Sequence, residues 1–261
     1  MIASAVAAMA LVAPASQADT PAPGYGQFAG CPTAAEFPGV AVCTAGVIKG
    51  GHFQMGSKDV PIEKPIKMSG GQLENGFIVA NSKGGLEAVK QKVPGGVIGL
   101  TGLTWLLEFL GSEALTLYAV TELVGPPQIT GTGLNLPLRV HLINSVLGNN
   151  CYVGSASTPI KLTLINGTTS PPPPNKPITG KNPEFGFDAA TEIISIKNGV
   201  FVDNSFAAPG ASGCVLTLFG FIPISINGLV NSQSGLPAPA GTNETTQNLD
   251  LEIAPTKKVY P

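Results

Sequence analysis

The sequence predicts a mainly β protein, an antiparallel β-sandwich or Greek key with one short helix, on three observations. Apolar residues recur with a period of two rather than 3.6. Each such run is short and ends at Gly, Pro or Asn. The 261 residues include 33 Gly and 24 Pro, the punctuation of many turns rather than of long helices. The length suffices for one large β-domain or two small ones.

The elements follow in order. His52 to Met55 is a short strand after Gly50-Gly51. In Val60 to Met68, Pro61 and Pro65 mark an edge or broken strand, because proline cannot donate to a ladder. Gly76 to Ala80 is a third short candidate. Leu103-Thr104-Trp105-Leu106-Leu107-Glu108-Phe109-Leu110 departs from the period: its apolar residues fall at helical spacing between Gly102 and Gly111. A two-turn helix is expected over 103–110, and with almost no polar face it should be buried or covered. Leu115 to Val120 is β-rich again. In Leu138-Arg139-Val140-His141-Leu142 apolar residues alternate with the chain's only Arg and one of its 2 His, and Ile160 to Leu164 repeats the alternation. Ile193 to Lys197 and Val200 to Asp203 flank Asn198-Gly199, a two-residue hairpin signal. Leu249-Asp250-Leu251-Glu252-Ile253 is the last strand.

Two connections stand out. Residues 168–177 contain Pro171 to Pro174 and are expected to run as extended polyproline II, and Ser234 to Thr246 is expected as an extended loop. Gly56-Ser57-Lys58-Asp59-Val60-Pro61-Ile62 and Gly154-Ser155-Ala156-Ser157-Thr158-Pro159-Ile160 agree at four of seven positions. This echo divides a β-domain of 46–261 into two related units, 46–138 and 139–261.

Residues Ile2 to Val12 form an uncharged, Ala-rich run, broken at Pro14 and followed by Ser16-Gln17-Ala18 with small residues at the −3 and −1 positions. This is the pattern of a secretory signal over 1–18, with Asp19 the expected first mature residue. No Lys or Arg precedes the run, and the true start is therefore expected upstream of Met1. Export makes Cys31, Cys43, Cys151 and Cys214 a disulfide set. Of the three connectivities, Cys31–Cys43 with Cys151–Cys214 is favoured, since each pair brackets a Pro/Gly-rich excursion. The first pair clips an N-terminal segment, 19–45.

Charge excludes some functions. The 14 Lys+Arg against 16 Asp+Glu give a net charge of −2, and with a single Arg there is no clustered basic footprint for nucleic acid. No metal-ligand spacing, phosphate loop or cofactor fingerprint is present, and no cofactor is expected. Gly210-Ala211-Ser212-Gly213-Cys214 approaches a nucleophile elbow, but Cys214 stands where its last glycine belongs. Asp203, before Asn204-Ser205, reads as turn chemistry. The sites Asn166-Gly167-Thr168 and Asn243-Glu244-Thr245 match the N-glycosylation acceptor.

The unusual feature is a lack of charge. Charged residues are 11% of the chain against about 25% in ordinary domains. None lies between Asp203 and Glu244, nor from Leu123 to Leu138. Such stretches are buried strands or contact surfaces. Gly148-Asn149-Asn150-Cys151-Tyr152-Val153-Gly154-Ser155, Gly167-Thr168-Thr169-Ser170 into Pro171–Pro174, Phe201-Val202-Asp203-Asn204-Ser205-Phe206-Ala207-Ala208-Pro209-Gly210 and Leu236-Pro237-Ala238-Pro239-Ala240-Gly241-Thr242 resemble a family of secreted actinobacterial proteins with no assigned activity. The likeness covers most of the chain. It implies an exported, envelope-facing protein and carries over no functional residue.

The expectation is therefore a secreted cell-envelope β protein with a structural or binding role and no catalysis. Its candidate apolar contacts are Trp105, Phe109, Phe219, Phe221 and Ile222. Envelope lipid, wall polymer or a second copy are the partners considered, with no transmembrane helix in the mature chain. An envelope β-barrel or pore-like protein, and a secreted hydrolase using His52 or His141, are the alternatives.

Overall fold

The computed structural model describes residues 20–106, 114–218 and 222–261. The expected signal at 1–18 lies outside them. After a 3-10 turn at Gly26–Phe28 come β1 (Val42–Met55), β2 (Lys58–Pro61), β3 (Ile66–Gln72), the two-residue strands β4 (Ile78–Val79), β5 (Gly85–Leu86) and β6 (Gln91–Lys92), and helix α1 (Gly96–Thr101). β7 (Tyr118–Leu123), β8 (Gln128–Ile129) and β9 (Gly133–Ile143) follow, then β10 (Tyr152–Val153), β11 (Ile160–Ile165), β12 (Glu184–Asp188) and β13 (Ile193–Asp203). The chain ends with β14 (Ala211–Ser212), the hairpin β15 (Val215–Leu218) and β16 (Ile222–Ser225), α2 (Asn227–Ser234), β17 (Glu244–Pro255) and α3 (Thr256–Val259).

The protein is mainly antiparallel β. One 15-stranded sheet runs β14-β10-β9-β11-β13-β17-β1-β3-β4, with shorter strands on its flanks. It curls until its hydrogen bonds come full circle. β8 pairs β9, and Phe77, beside β4, bridges to Gln128 of β8. The Ile78 N–H donates to Pro127 O at 2.8 Å and the Ile129 N–H to Gly76 O at 2.8 Å. The alternation of β9 sets the interior: Leu134, Leu136, Leu138, Val140 and Leu142 are buried, while Asn135, Pro137, Arg139 and His141 face outward. Ile160, Leu162 and Leu164 of β11 fill the same core. A second, smaller core lies on the outer face of β1 and β17, where Tyr25, Phe28, Val40 and Val259 pack around Cys31, Cys43 and Ala254.

Several local expectations are corrected. The short strand at His52 is the tail of β1, which begins at Val42 and was hidden by its glycines. Gly51 has φ +122°, and a Cβ there would overlap Thr246 O of the neighbouring strand. Val60 to Met68 divides into β2 and β3, with Pro65 in the gap. Asn198-Gly199 is no hairpin: β13 passes through it as one strand, with a register shift against β17 between Ile196 and Gly199. Ser234 closes α2 rather than opening a loop, and β17 already begins at Glu244. The proline run does not stay extended. It turns at Pro173-Pro174, and Asn175 anchors it by donating through Nδ2 to Asn204 O and Asn243 O at 3.0 and 2.8 Å. The helix expected at 103–110 falls mostly on residues 107–113, which lie outside the described set; Leu106, just before them, is helical, and α1 is a separate helix that ends at Thr101. The boundary between 46–138 and 139–261 falls inside β9, and strands of both halves belong to one sheet, β11, β13 and β17 of the second half lying together beside β1, β3 and β4 of the first.

Candidate functional site

β17 is flanked by a bulge on each side at the same level. On β1 the extra residue is Lys49, between Ile48 and Gly50; on β13 it falls between Ile196 and Gly199. Asp250 ties both together. Its Oδ2 lies 2.8 Å from Lys49 Nζ, and its Oδ1 accepts the Asn198 N–H at 2.8 Å. Partial burial pushes the Asp250 pKa up, but the Lys49 and Asn198 hydrogen bonds outweigh it and hold the carboxyl below its ordinary value. Bulges bend their strands and sharpen local twist. Past this level β12, β13 and β17 extend as an apron, with the first half of β1 still paired to β17 as far as Pro255.

The apron's inner face is apolar and open. Phe185 and Phe187 of β12 pair with Ile196 and Ile194 of β13, which pair in turn with Leu251 and Ile253 of β17. Directly paired residues share a face, so these six side chains form one continuous block. Leu251 and Ile253 continue the alternation of buried Leu249, placing the block on the side that faces the core. Phe185 is 74% exposed and Phe187 66%. The block leads into a mainly apolar cavity of about 180 Å³ walled by Met68, Ile129, Leu134, Phe201, Leu249 and Leu251, with Thr130, Thr132 and Asn166 also on its wall. Gly199 makes room here: a Cβ on it would sit 2.7 Å from the Phe201 ring.

The four cysteines form two bridges, Cys31–Cys43 and Cys151–Cys214. Of the sequence-read apolar contacts, Trp105 is 42% exposed and Ile222 41%, away from the helix core expected for the first. Phe109, Phe219 and Phe221 lie outside the described residues. Phe185 and Phe187 were missed, although Glu184-Phe185-Gly186-Phe187-Asp188 alternates strictly and the matching Ile194-Ser195-Ile196 follows it.

The two histidines lie in ionic surface clusters. His52 Nδ1 is 2.9 Å from Asp59 Oδ1, and its Nε2 is 3.7 Å from Glu244 Oε1. Among the described residues no hydroxyl is hydrogen-bonded to either ring nitrogen of His52. His141 stacks on Tyr152 at 4.2 Å, with its Nε2 3.1 Å from Asn149 O. Arg139 lies over the same Tyr152 ring at 4.3 Å and pairs with Glu122 through Nη2 at 2.6 Å. This is a cross-strand cluster on the outer face of the sheet. Asp203 is buried, its Oδ2 accepting the Thr163 N–H at 2.6 Å and its Oδ1 the Ser205 N–H at 2.8 Å. Desolvation raises its pKa against those bonds. The acceptor Asn243 is fully buried, taking the Gly56 N–H at 2.9 Å and donating to Phe206 O at 2.9 Å.

Among the described residues no three His, Cys, Asp or Glu gather as a metal site, and no helix is long and apolar enough to cross a membrane. Comparison with family models, with curated proteins and with solved structures found no match. The open apolar face is the candidate that the geometry itself supplies.

Proposed function

We propose that this chain is an exported cell-envelope protein that acts without catalysis, by holding the apolar chain of an envelope lipid on the face formed by β12, β13 and β17. The observation that carries the reading is the pair Phe185 and Phe187, left exposed on a face that continues into an apolar cavity. Exposed contiguous apolar surface of this kind marks interaction sites. Two disulfides fit an oxidising compartment, and the resemblance to secreted actinobacterial proteins supports export.

The other partners fit less well. A wall glycan is recognised through many polar groups, and the six-residue block has no polar side chain. Edge-to-edge pairing of two β12 strands about Gly186 opposes Glu184 and Asp188 across the junction, and like charges directly opposite are destabilising. A membrane-spanning barrel carries apolar residues outward, whereas β9 presents Asn135, Arg139 and His141 outward and leucines inward.

The test is retention of a fluorescent fatty-acyl probe by the whole protein and by a Phe185→Ser/Phe187→Ser double variant. Because both rings are exposed, the variant should melt within a few degrees of the parent while probe affinity falls at least tenfold, about 1.4 kcal/mol. Equal affinity in the two proteins, or no retention by either, overturns the reading.

A further inference from the structure

We infer that the lumen behind the open face takes the hydroxyl end of a neutral long-chain alcohol, with the Gln247 carboxamide as its acceptor. The inference deepens the lipid-binding reading and rests on it.

Gln247 lies on the inner face of β17, 4% exposed. Its Nε2 donates to Thr245 Oγ1 at 3.4 Å, and the Thr245 hydroxyl spends its one proton on His52 O at 2.8 Å. The Thr245 oxygen can therefore only accept, which fixes the orientation of the Gln247 amide. Its Oε1 is left buried with no hydrogen-bond partner. An acceptor stranded in this way is costly and calls for a donor.

The space beside it is a cavity of about 50 Å³ walled by Ile48, Ile66, Leu136, Leu138 and Val140. That is room for about four water-sized spheres, enough for a hydroxyl and the first carbons of a chain. Gln91 also borders it, but its Oε1 already accepts the Glu63 and Lys64 N–H groups and its Nε2 donates to Lys64 O. Thr121 on the same wall is half-buried.

The inner cavity and the mouth are neighbouring floors of one lumen. Gln247, Leu136 and Ile66 wall the inner floor; Leu249, Leu134 and Met68, each two residues along the same strand face, wall the mouth. Such a step spans about 7 Å. Met68, which walls the mouth, is unbranched and adaptable, the kind of side chain that yields to an entering chain. No charged side chain lines either floor among the described residues. A carboxylate or phosphate head would be buried without compensation and has no proton for Gln247. An alcohol satisfies the acceptor and leaves its tail for Phe185, Phe187 and Ile194 on the apron.

The experiment compares binding of 1-decanol and 1-methoxydecane to the whole protein and to Gln247→Met, by calorimetry. The two probes match in chain length, but only the alcohol donates. We expect the alcohol to bind at least tenfold tighter to the parent protein, and the ratio to fall close to one in Q247M. Equal binding of both probes to the parent, the result if water alone satisfies Gln247, overturns this inference and leaves the lipid reading standing. No binding of either probe overturns both. An unchanged ratio in Q247M overturns the assignment to Gln247. Should Q247M not fold, the ratio in the parent protein decides.

Discussion

At Asp203 two backbone N–H groups, from Thr163 and Ser205, converge on a buried carboxylate, yet desolvation still raises its pKa. Asp250 takes one backbone N–H and one lysine and goes the other way. The signs for stability are opposite. A raised carboxyl contributes most below its unfolded pKa, and that contribution is lost as pH rises through the folded value. A lowered one contributes above its unfolded pKa, and the contribution is lost as pH falls through the folded value. Carboxyl NMR titration should place Asp203 above the ordinary 3.8 and Asp250 below it; the reverse order would contradict the account. Asp203→Asn removes the buried charge but turns an amide NH₂ toward one of the two N–H donors. It should cost about 1–3 kcal/mol in urea unfolding at neutral pH. The local half of this site was legible: Asp203-Asn204-Ser205 is turn chemistry, and the Ser205 bond is that turn. The Thr163 bond joins strands far apart in sequence and leaves no mark in it.

Strands with one buried face were readable from alternation, as β9, β11 and the centre of β17 were, because period two records which side is dry. Elements that depart from alternation for a structural reason were not. β1 is rich in glycine where it meets its neighbours closely, as at Gly51. Asn198-Gly199 carries the signal of a turn, and what decides between turn and bulge is whether a partner strand continues on both sides. β17 does, with Ile196 opposite Leu251 and Gly199 opposite Leu249. The residue that stabilises the bulge is Asp250. Its contact with half-exposed Lys49 is worth little, so most of the effect should come from the Asn198 N–H. Asp250→Ala should cost about 1 kcal/mol and speed hydrogen exchange at Asn198 severalfold beyond any change in β9 amides. An Asn198 rate that merely follows β9 would show that the bulge does not depend on the carboxylate.

At the scale of the molecule, closure of the sheet was illegible, since it depends on Phe77 meeting Gln128 and Gly76 meeting Ile129, segments with no shared pattern. The uncharged stretches were legible as a choice and resolve both ways: Leu134, Leu136, Val230 and Leu236 are core, while Ile222 and Ile224 are exposed. The two disulfides also do different work. Cys31–Cys43 spans 12 residues and holds the N-terminal segment on the smaller outer core. Cys151–Cys214 spans 63 residues, and its loop contains β11 and β13, which lie inside the closed circuit. Chain entropy assigns them about 3 and 4 kcal/mol. Removing the first as Cys31→Ser/Cys43→Ser should loosen residues 20–41 to protease while the strands of the circuit keep their hydrogen-exchange protection, because the inner core does not include Tyr25, Phe28 or Val259. Removing the second as Cys151→Ser/Cys214→Ser should lower protection throughout the circuit by the full amount, since both cysteines belong to the inner core. Equal loss of circuit protection in the two variants would mean that the outer and inner cores unfold as one unit.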